Sequence, residues 1–532
     1  MIMKHYQIFA ANSLLVGSLF FSSCTGKFIE YNTNPYEATS EQMGYDDYNL
    51  QSALIEMEGN VIPVNPFLYQ FMESSMGNVY GGYMSDSNDG FIGRNFSTYS
   101  PEEHWYQFPF NNVIPKIYPN HQKIVTKAAN NPIAIAVADI LKVAAIHRVT
   151  DIYGHIPYSK IGANGELKAP YDHQREIYKL FFEQLDGAVQ SLMKNRTSAL
   201  NANADKVYKG VVDQWIKFAN SLKLRLAMRI VYADPTLART KAEEAVQQEV
   251  GTLASNSDNA YNPVVKSPIR EIMYDYNGGD SRISADITSY MNGYRDPRRE
   301  MYFQISTFTG TGSDQIQNGY HGLRNGIALS SSAIAQKYSN VNMEKLEGRL
   351  MWMNAAECAF LKAEGALRGW NMGGTAESFY QQGIRLSFEQ WGVTGADSYL
   401  MNETNTPESY RDPMGVNNNS DAPSTITIKW NNASDFETNL ERIITQKWIA
   451  NFPLGNEAWA EFRRTGYPRL MKVLHNLSKG IVDDQLMARR LPYPQSEYNE
   501  NTENLKAALE MLGGPDNLAT RVWWDSNSRI RK

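Results

Sequence analysis

The sequence predicts an α-dominated fold in one large domain with long inserted loops. Three observations lead there. Long segments carry small and apolar residues at three- and four-residue steps, the spacing that lines one helix face. One region, Leu350 to Trp391, reads as two such segments joined by glycines. Between the helical segments lie stretches rich in Gly, Asn, Tyr and Ser, yet no low-complexity linker divides the chain.

The elements follow in chain order. The first 24 residues read as an export signal. Lys4 is followed by an apolar stretch, Ile8 to Phe21, broken by Asn12, Ser13, Gly17 and Ser18. It falls short of the ~20 apolar residues of a transmembrane helix. It ends in Phe21-Ser22-Ser23-Cys24, and small residues before a cysteine resemble the lipobox of bacterial lipoproteins, in which the cysteine is diacylated and becomes the mature N-terminus. Residues 1–23 are therefore read as a signal peptide, Cys24 as the lipidation site and 24–532 as the mature domain, with an ordinary signal peptide or a buried cysteine as the alternative. Phe21 stands where Leu is usual. More than one acyl chain makes anchoring stable; the sequence after Cys24 does not specify the membrane leaflet. No later segment reaches 18 apolar residues.

From Pro132 the chain reads AIAVADILKVAAIHRVTDIYG, with Ala134, Ala138, Leu141, Ala145 and Val149 on one stripe, Pro132 placed to start a helix and Gly154 to stop it. Further helices are predicted over Val207–Tyr232, Leu237–Val250 and Asn439–Asn451. In the 350–391 region, Ala355, Ala359, Ala363, Ala366 and Leu367 line one helix; Gly369, Gly373 and Gly374 break it; and Ala376, Phe379, Tyr380, Ile384, Ser387 and Phe388 line the next. Small and aromatic residues alternating across a glycine-broken hairpin resemble a tetratricopeptide unit, without a strict 34-residue period. Any helical hairpin is the plainer reading. The stretches Gly77–Ser100, Tyr274–Ser284, Ser306–Asn325 and Asn402–Ser424 are predicted as long loops, and loops of that length are usually functional or disordered.

Composition narrows the function. The chain has 532 residues, 42% of them hydrophobic, and a net charge of −6. Such a chain affords a sizeable core and lacks the basic surface that a nucleic-acid binder needs. Cys24 and Cys358 are the two cysteines, which excludes a disulfide framework and multi-cysteine metal sites. Cys358 falls on the small-residue face of a helix and is expected to be a buried, inert thiol.

Several segments, taken in order, resemble the SusD/RagB-like nutrient-binding lipoproteins, closest to the second SusD-like branch. They are Asn32-Thr-Asn-Pro35 with Ala38-Thr39; Asp151-Ile-Tyr-Gly-His-Ile-Pro-Tyr158; Asp296-Pro-Arg298; AECAFLKAEGALRGW at 356–370; Trp448-Ile-Ala-Asn-Phe; Glu457-Ala-Trp459 with Phe462-Arg463-Arg464; and Arg490-Leu-Pro-Tyr-Pro494 with Glu497-Tyr498. Each segment is weak alone, and the ordered set covers almost the whole mature chain. The resemblance implies a superhelix of tetratricopeptide-like hairpins packed against an irregular loop-rich half. It also implies a surface-facing outer-membrane lipoprotein that docks onto a SusC-like, TonB-dependent transporter. Such a protein captures oligosaccharides, or in some members peptides, without catalysis.

A sugar ring presents an apolar C–H face for aromatic rings and a hydroxyl fringe for Asn, Asp and Arg, so a capture protein needs those groups on a preformed surface. Tyr80, Tyr83, Asn88 and Arg94 in the first long loop, Tyr276 and Asn277 with Tyr274 and Arg282 in the second, and Tyr320 and His321 in the third are the candidate ligand contacts. Loop packing is the competing role for each tyrosine. Replacing Tyr80 or Tyr83 by Ala is expected to weaken binding without lowering stability. Trp105-Tyr106 is read as a helix start in the core.

No G-x-S-x-G, HExxH or phosphate-loop motif is present, and no cofactor is expected. Asp86-Ser-Asn-Asp-Gly90 resembles a calcium loop, but its Gly comes one position early and Ser97 occupies the closing acidic position; a looser structural calcium site stays open. His147, in an alanine-rich helix, is expected to pack. A paired-carboxylate glycosidase and a purely structural helical scaffold are the remaining alternatives.

Overall fold

The computed structural model describes residues 48–128, 130–162, 168–311 and 319–530. The chain divides into two units, Met1–Ser52 and Ala53–Lys532. The signal segment and Cys24 lie outside the described residues; the fold and the sites belong to the second unit.

The longer helices are α1 (Tyr48–Val61), α2 (Ile114–Lys127), α3 (Pro132–Tyr153), α4 (Gln174–Lys194), α5 (Val212–Arg229), α6 (Pro235–Gln247), α7 (Ala285–Gly293), α8 (Ala355–Leu367), α9 (Ala376–Trp391), α10 (Phe436–Ala450), α11 (Gly455–Thr465) and α12 (Thr502–Leu512). Strands are few and short: β1 (Met84–Asp86) pairs antiparallel with β3 (Ser281–Ile283), and β2 (Ala260–Pro263) with β4 (Arg349–Met353). The expected class holds: helical hairpins leaning on one another, with an irregular loop-rich half beside them.

Local chemistry explains the boundaries. Pro132 opens α3, where its missing N–H costs nothing. The Asn131 side chain accepts from the Ala134 amide at 3.1 Å, and Gly154 ends the helix at φ 89°. Beyond the stripe of small residues, α3 is buried almost all round, because α2, α4 and α5 all pack on it. An all-round apolar helix is stable only at such a central position. In α9 the Thr375 hydroxyl accepts from the Ser378 amide at 3.1 Å, which satisfies one orphan donor of the first turn. The α8–α9 hairpin closes where Gly383 meets the Phe360 ring; a Cβ there would lie 2.7 Å from it. Cys358 is fully buried on α8, and burial pushes its thiol up to about 12. His147 is buried on α3, where its Nδ1 lies 3.0 Å from the Val143 carbonyl and burial lowers it to about 4.

Where α5, α8, α10 and α11 converge, the core is ionic. Arg225 forms a bidentate pair with Glu357, both contacts at 2.7 Å. Arg229 bonds Glu457, Lys447 reaches Glu457 at 3.0 Å, and Arg464 bridges Glu364 and Glu461, each at 2.6 Å. Burial by itself would raise the Glu364 carboxyl, but Arg464 and Arg368 outweigh it and hold it at about 2. All of these residues but half-buried Arg368 are buried. The network therefore ties four helices by charges that tolerate no missing partner.

Much of the first expected loop is not loop. Gly77 lies in a π-helical turn, Gln70–Asn78, and the chain stays buried through β1 to Ser87. That turn packs against the start of α11 so closely that a Cβ on Gly455 would sit 2.2 Å from the Asn78 amide nitrogen.

Candidate ligand-binding face

The pairing of β1 with β3 sets this face. It carries Asn88 and the Tyr276–Asp280 turn out of the core side by side. Asp280 is their hub. It is 2% exposed, and its carboxylate accepts from Asn88 Nδ2 at 2.6 Å, Asn277 Nδ2 at 2.9 Å and Gln70 Nε2 at 2.7 Å. Three donors satisfy a buried charge that would otherwise be costly. Asn277, exposed at φ 53°, accepts on its backbone carbonyl from Gln336 Nε2 at 2.9 Å. Asn88 caps the Gly90 amide at 2.8 Å. Asp89 exchanges hydrogen bonds with Ser332, which hold its carboxyl below the ordinary range.

From Gln336 the face continues to the third predicted loop. The Lys337 ammonium lies 5.8 Å over the Phe308 ring, and the amide of His321 donates to Ser339 Oγ at 3.1 Å. On the opposite side, half-buried Phe91 meets Trp105 edge-on with centroids 4.8 Å apart. Trp105 is buried in the short helix Glu103–Tyr106, as expected. Arg94 lies at 6.0 Å over Trp105, donates from Nε and Nη2 to the Gly90 carbonyl and pairs with Glu102 at 2.6 Å. It clamps its own loop.

The structure thus brings Asn88 and Asn277 onto one carboxylate and carries the same surface to His321. Tyr276 sits beside Asn277, half-buried. Tyr320 turns away, its ring 4.4 Å under the Arg299 guanidinium. Arg282 is buried, stitching Gly278 and Ser281 carbonyls.

Two expected contacts are corrected. Tyr80 and Tyr83 are 1% and 0% exposed. Tyr80 packs on Trp459, Phe96 and Tyr99. Tyr83 stacks on Trp448 with centroids 5.3 Å apart and donates to the Trp448 carbonyl. Neither ring can meet a ligand without opening the core, and their removal is a stability change. Gln336, Ser332 and Phe308 were missed. They lie far along the chain from Asn88, and no local motif marks them.

The assembled groups can hydrogen-bond a polyhydroxyl or amide-bearing ligand beside an aromatic edge. The calcium-like segment does not converge on a point: Asp86 turns inward to Ser97 Oγ at 2.7 Å, and Asp89 goes to Ser332. Among the described residues no cluster of three or more His, Cys, Asp or Glu could hold a metal, and no helix is long and apolar enough to cross a membrane.

Comparison with known proteins bears on what the face is for. The family model described as SusD-like, SusD and RagB outer membrane lipoprotein, matches residues 30–525. A SusD homologue from Bacteroides uniformis is 47% identical, with a TM-score of 0.86 over 90% of this chain and 100% of that one. A homologue from Bacteroides thetaiotaomicron is 41% identical, with a TM-score of 0.83 over 90% and 99%. A chitin-binding SusD homologue from Flavobacterium johnsoniae is 40% identical, with a TM-score of 0.84 over 90% and 99%. No match is found among curated proteins.

Proposed function

The chain belongs to the SusD-like family, and from that premise we propose that it is a non-catalytic capture protein for a nutrient glycan. It is tethered to the outer membrane through acylated Cys24 and delivers its cargo to a SusC-like, TonB-dependent transporter. The observation that carries the glycan reading is the whole-length likeness to a chitin-binding homologue. The loop face supports it with suitable chemistry: Asn88, Asn277 and Gln336 offer carboxamides, and Phe91 offers an aromatic edge beside them. Tyr276, Arg94 and His321 complete the proposed contact set from the surrounding loops, while Tyr320, stacked under Arg299, falls outside it.

Chito-oligosaccharides are the first ligands to test. Calorimetry is expected to give saturable binding that Asn277→Ala weakens about tenfold, the scale of one or two lost hydrogen bonds, together with a modest fall in melting temperature, because Asn277 Nδ2 also donates to buried Asp280. A glycan panel with no binder, alongside a peptide panel with one, favours a peptide-capturing member of the family. Turnover of any glycan overturns the non-catalytic reading.

A further inference from the structure

A second cleft lies on the helical half. It shares no lining residue with the loop face, so a role for it does not rest on the proposed function. It has a volume of about 850 Å³ and is walled by α2, α3, residues 157–162 and the short helix Gln495–Glu500 with Asn501. Ile114, Pro119 and Pro157 give it apolar walls, and Gln122, Ser159 and Asn501 give it a polar rim.

Lys142 of α3 lines this cleft although it is 8% exposed. Its ammonium lies 4.7 Å over the Tyr118 ring and 4.6 Å over the Tyr158 ring. Both rings are fixed: the Tyr118 hydroxyl donates to the Pro157 carbonyl at 3.5 Å, and the Tyr158 hydroxyl to Gln184. Among the described residues Lys142 has no ion-pair or hydrogen-bond partner. Of the carboxylates around it, three are engaged elsewhere and Glu500 is exposed to solvent at the cleft's edge. Asp139 pairs with His121 at 2.7 Å, Asp172 accepts from the Tyr158 and Ser159 amides, and Glu497 accepts from Tyr171 and Asn501.

A buried ammonium needs compensation. Two aromatic faces supply part of it, and the ammonium has three N–H donors. In the ionic core Arg225, Arg229, Lys447 and Arg464 each have a carboxylate; Lys142 has an opening instead. An anion entering the cleft would regain a charge-assisted hydrogen bond in a partly dry setting. The surrounding Asp139, Asp172, Glu497 and Glu500 disfavour a dianion, so a singly charged group fits best.

We propose that this cleft is a binding site for a ligand carboxylate, with Lys142 as its receptor and the Tyr118 and Tyr158 rings positioning the ammonium. The cleft volume suits a ligand of sugar or dipeptide size. Burial lowers Lys142 to about 8, against the opposing pull of Asp139. Its charge is therefore present at pH 7 and fades above pH 8, and carboxylate binding should fade with it. The titratable groups facing it are Tyr118 and His121 of α2, Asp139 of α3, and Tyr158, Asp172, Glu497 and Glu500.

The test titrates the full chain with glucuronate, with glucose as the neutral counterpart and with Gly-Gly as a peptide carboxylate. Binding of glucuronate or Gly-Gly that glucose does not share supports the proposal, and the preferred probe identifies the source of the carboxylate. Lys142→Met should weaken that binding more than tenfold while keeping the melting temperature at or above that of the parent. Affinity should fall about tenfold between pH 7 and 9 in the parent. Lys142→Arg, charged throughout that range, should bind without the pH dependence. Equal binding of glucose, unchanged affinity in Lys142→Met, or no binding of either carboxylate overturns it; the glucose comparison and the pH profile stand even if Lys142→Met fails to fold.

Discussion

Single residues in this protein are governed by what surrounds them rather than by their type. Tyr83 is polar enough to sit at a surface and aromatic enough to hold a sugar, yet its ring lies between Trp448 and Phe452. Tyr83→Ala is expected to cost about 3–5 kcal/mol, the usual range for emptying an aromatic site, read as a lower melting temperature. An unchanged melting temperature would return Tyr83 to the surface. Asp86 makes the same point electrically. Burial pushes its carboxyl up to about 7 from 3.8, against the Ser97 hydrogen bonds. The folded state therefore prefers the protonated form, and the stability this group contributes is full below pH 3.8 and lost as pH rises through 7. Asp86→Asn keeps an oxygen for Ser97 and cannot ionise. Its melting temperature should gain on the parent steadily from pH 4 to 8, by at most roughly 4 kcal/mol in stability. A gap independent of pH would show that Asp86 stays charged.

At the scale of elements, helices that look self-sufficient are held by charges on their neighbours. Arg225 of α5 and Glu357 of α8 are 4% and 0% exposed and are bonded at both nitrogens. Removing Glu357 leaves the guanidinium buried beside Arg229, with only Glu457, 3.6 Å from its Nε, to offset its charge. Glu357→Gln should therefore cost about 3–5 kcal/mol, while the double change Arg225→Met with Glu357→Met should cost less than the sum of the two single changes. Additive costs in a double-mutant cycle would show that the pair does not act as a unit. Helix positions were legible beforehand because proline, glycine and small-residue spacing are local signals: Pro132, Gly154 and the glycines between α8 and α9 stand where the helices begin and end. The ionic network was not legible. Arg463 and Arg464 read as a motif, but nothing in their spacing names Glu364, 100 residues away.

For the whole molecule, the proposed tether and the proposed cargo handling are separable. Two acyl chains contribute about 0.8 kcal/mol per buried methylene, so Cys24→Ala should release the protein from isolated outer membranes when no transporter is present. Retention under those conditions would assign the tether to another part of the chain. Copurification with a β-barrel transporter should survive that change if docking uses the folded domain.

The helical class, the buried thiol at Cys358 and membership of the SusD-like family can be read along the chain, since periodicity, caps and ordered segments are local signals. Which polar and aromatic side chains face outward follows from the packed chain alone. Tyr83 is buried by Trp448, and Asn88 is paired with Asn277 through Asp280. Exposure depends on contacts between residues about 190 to 370 positions apart, and no local pattern encodes those.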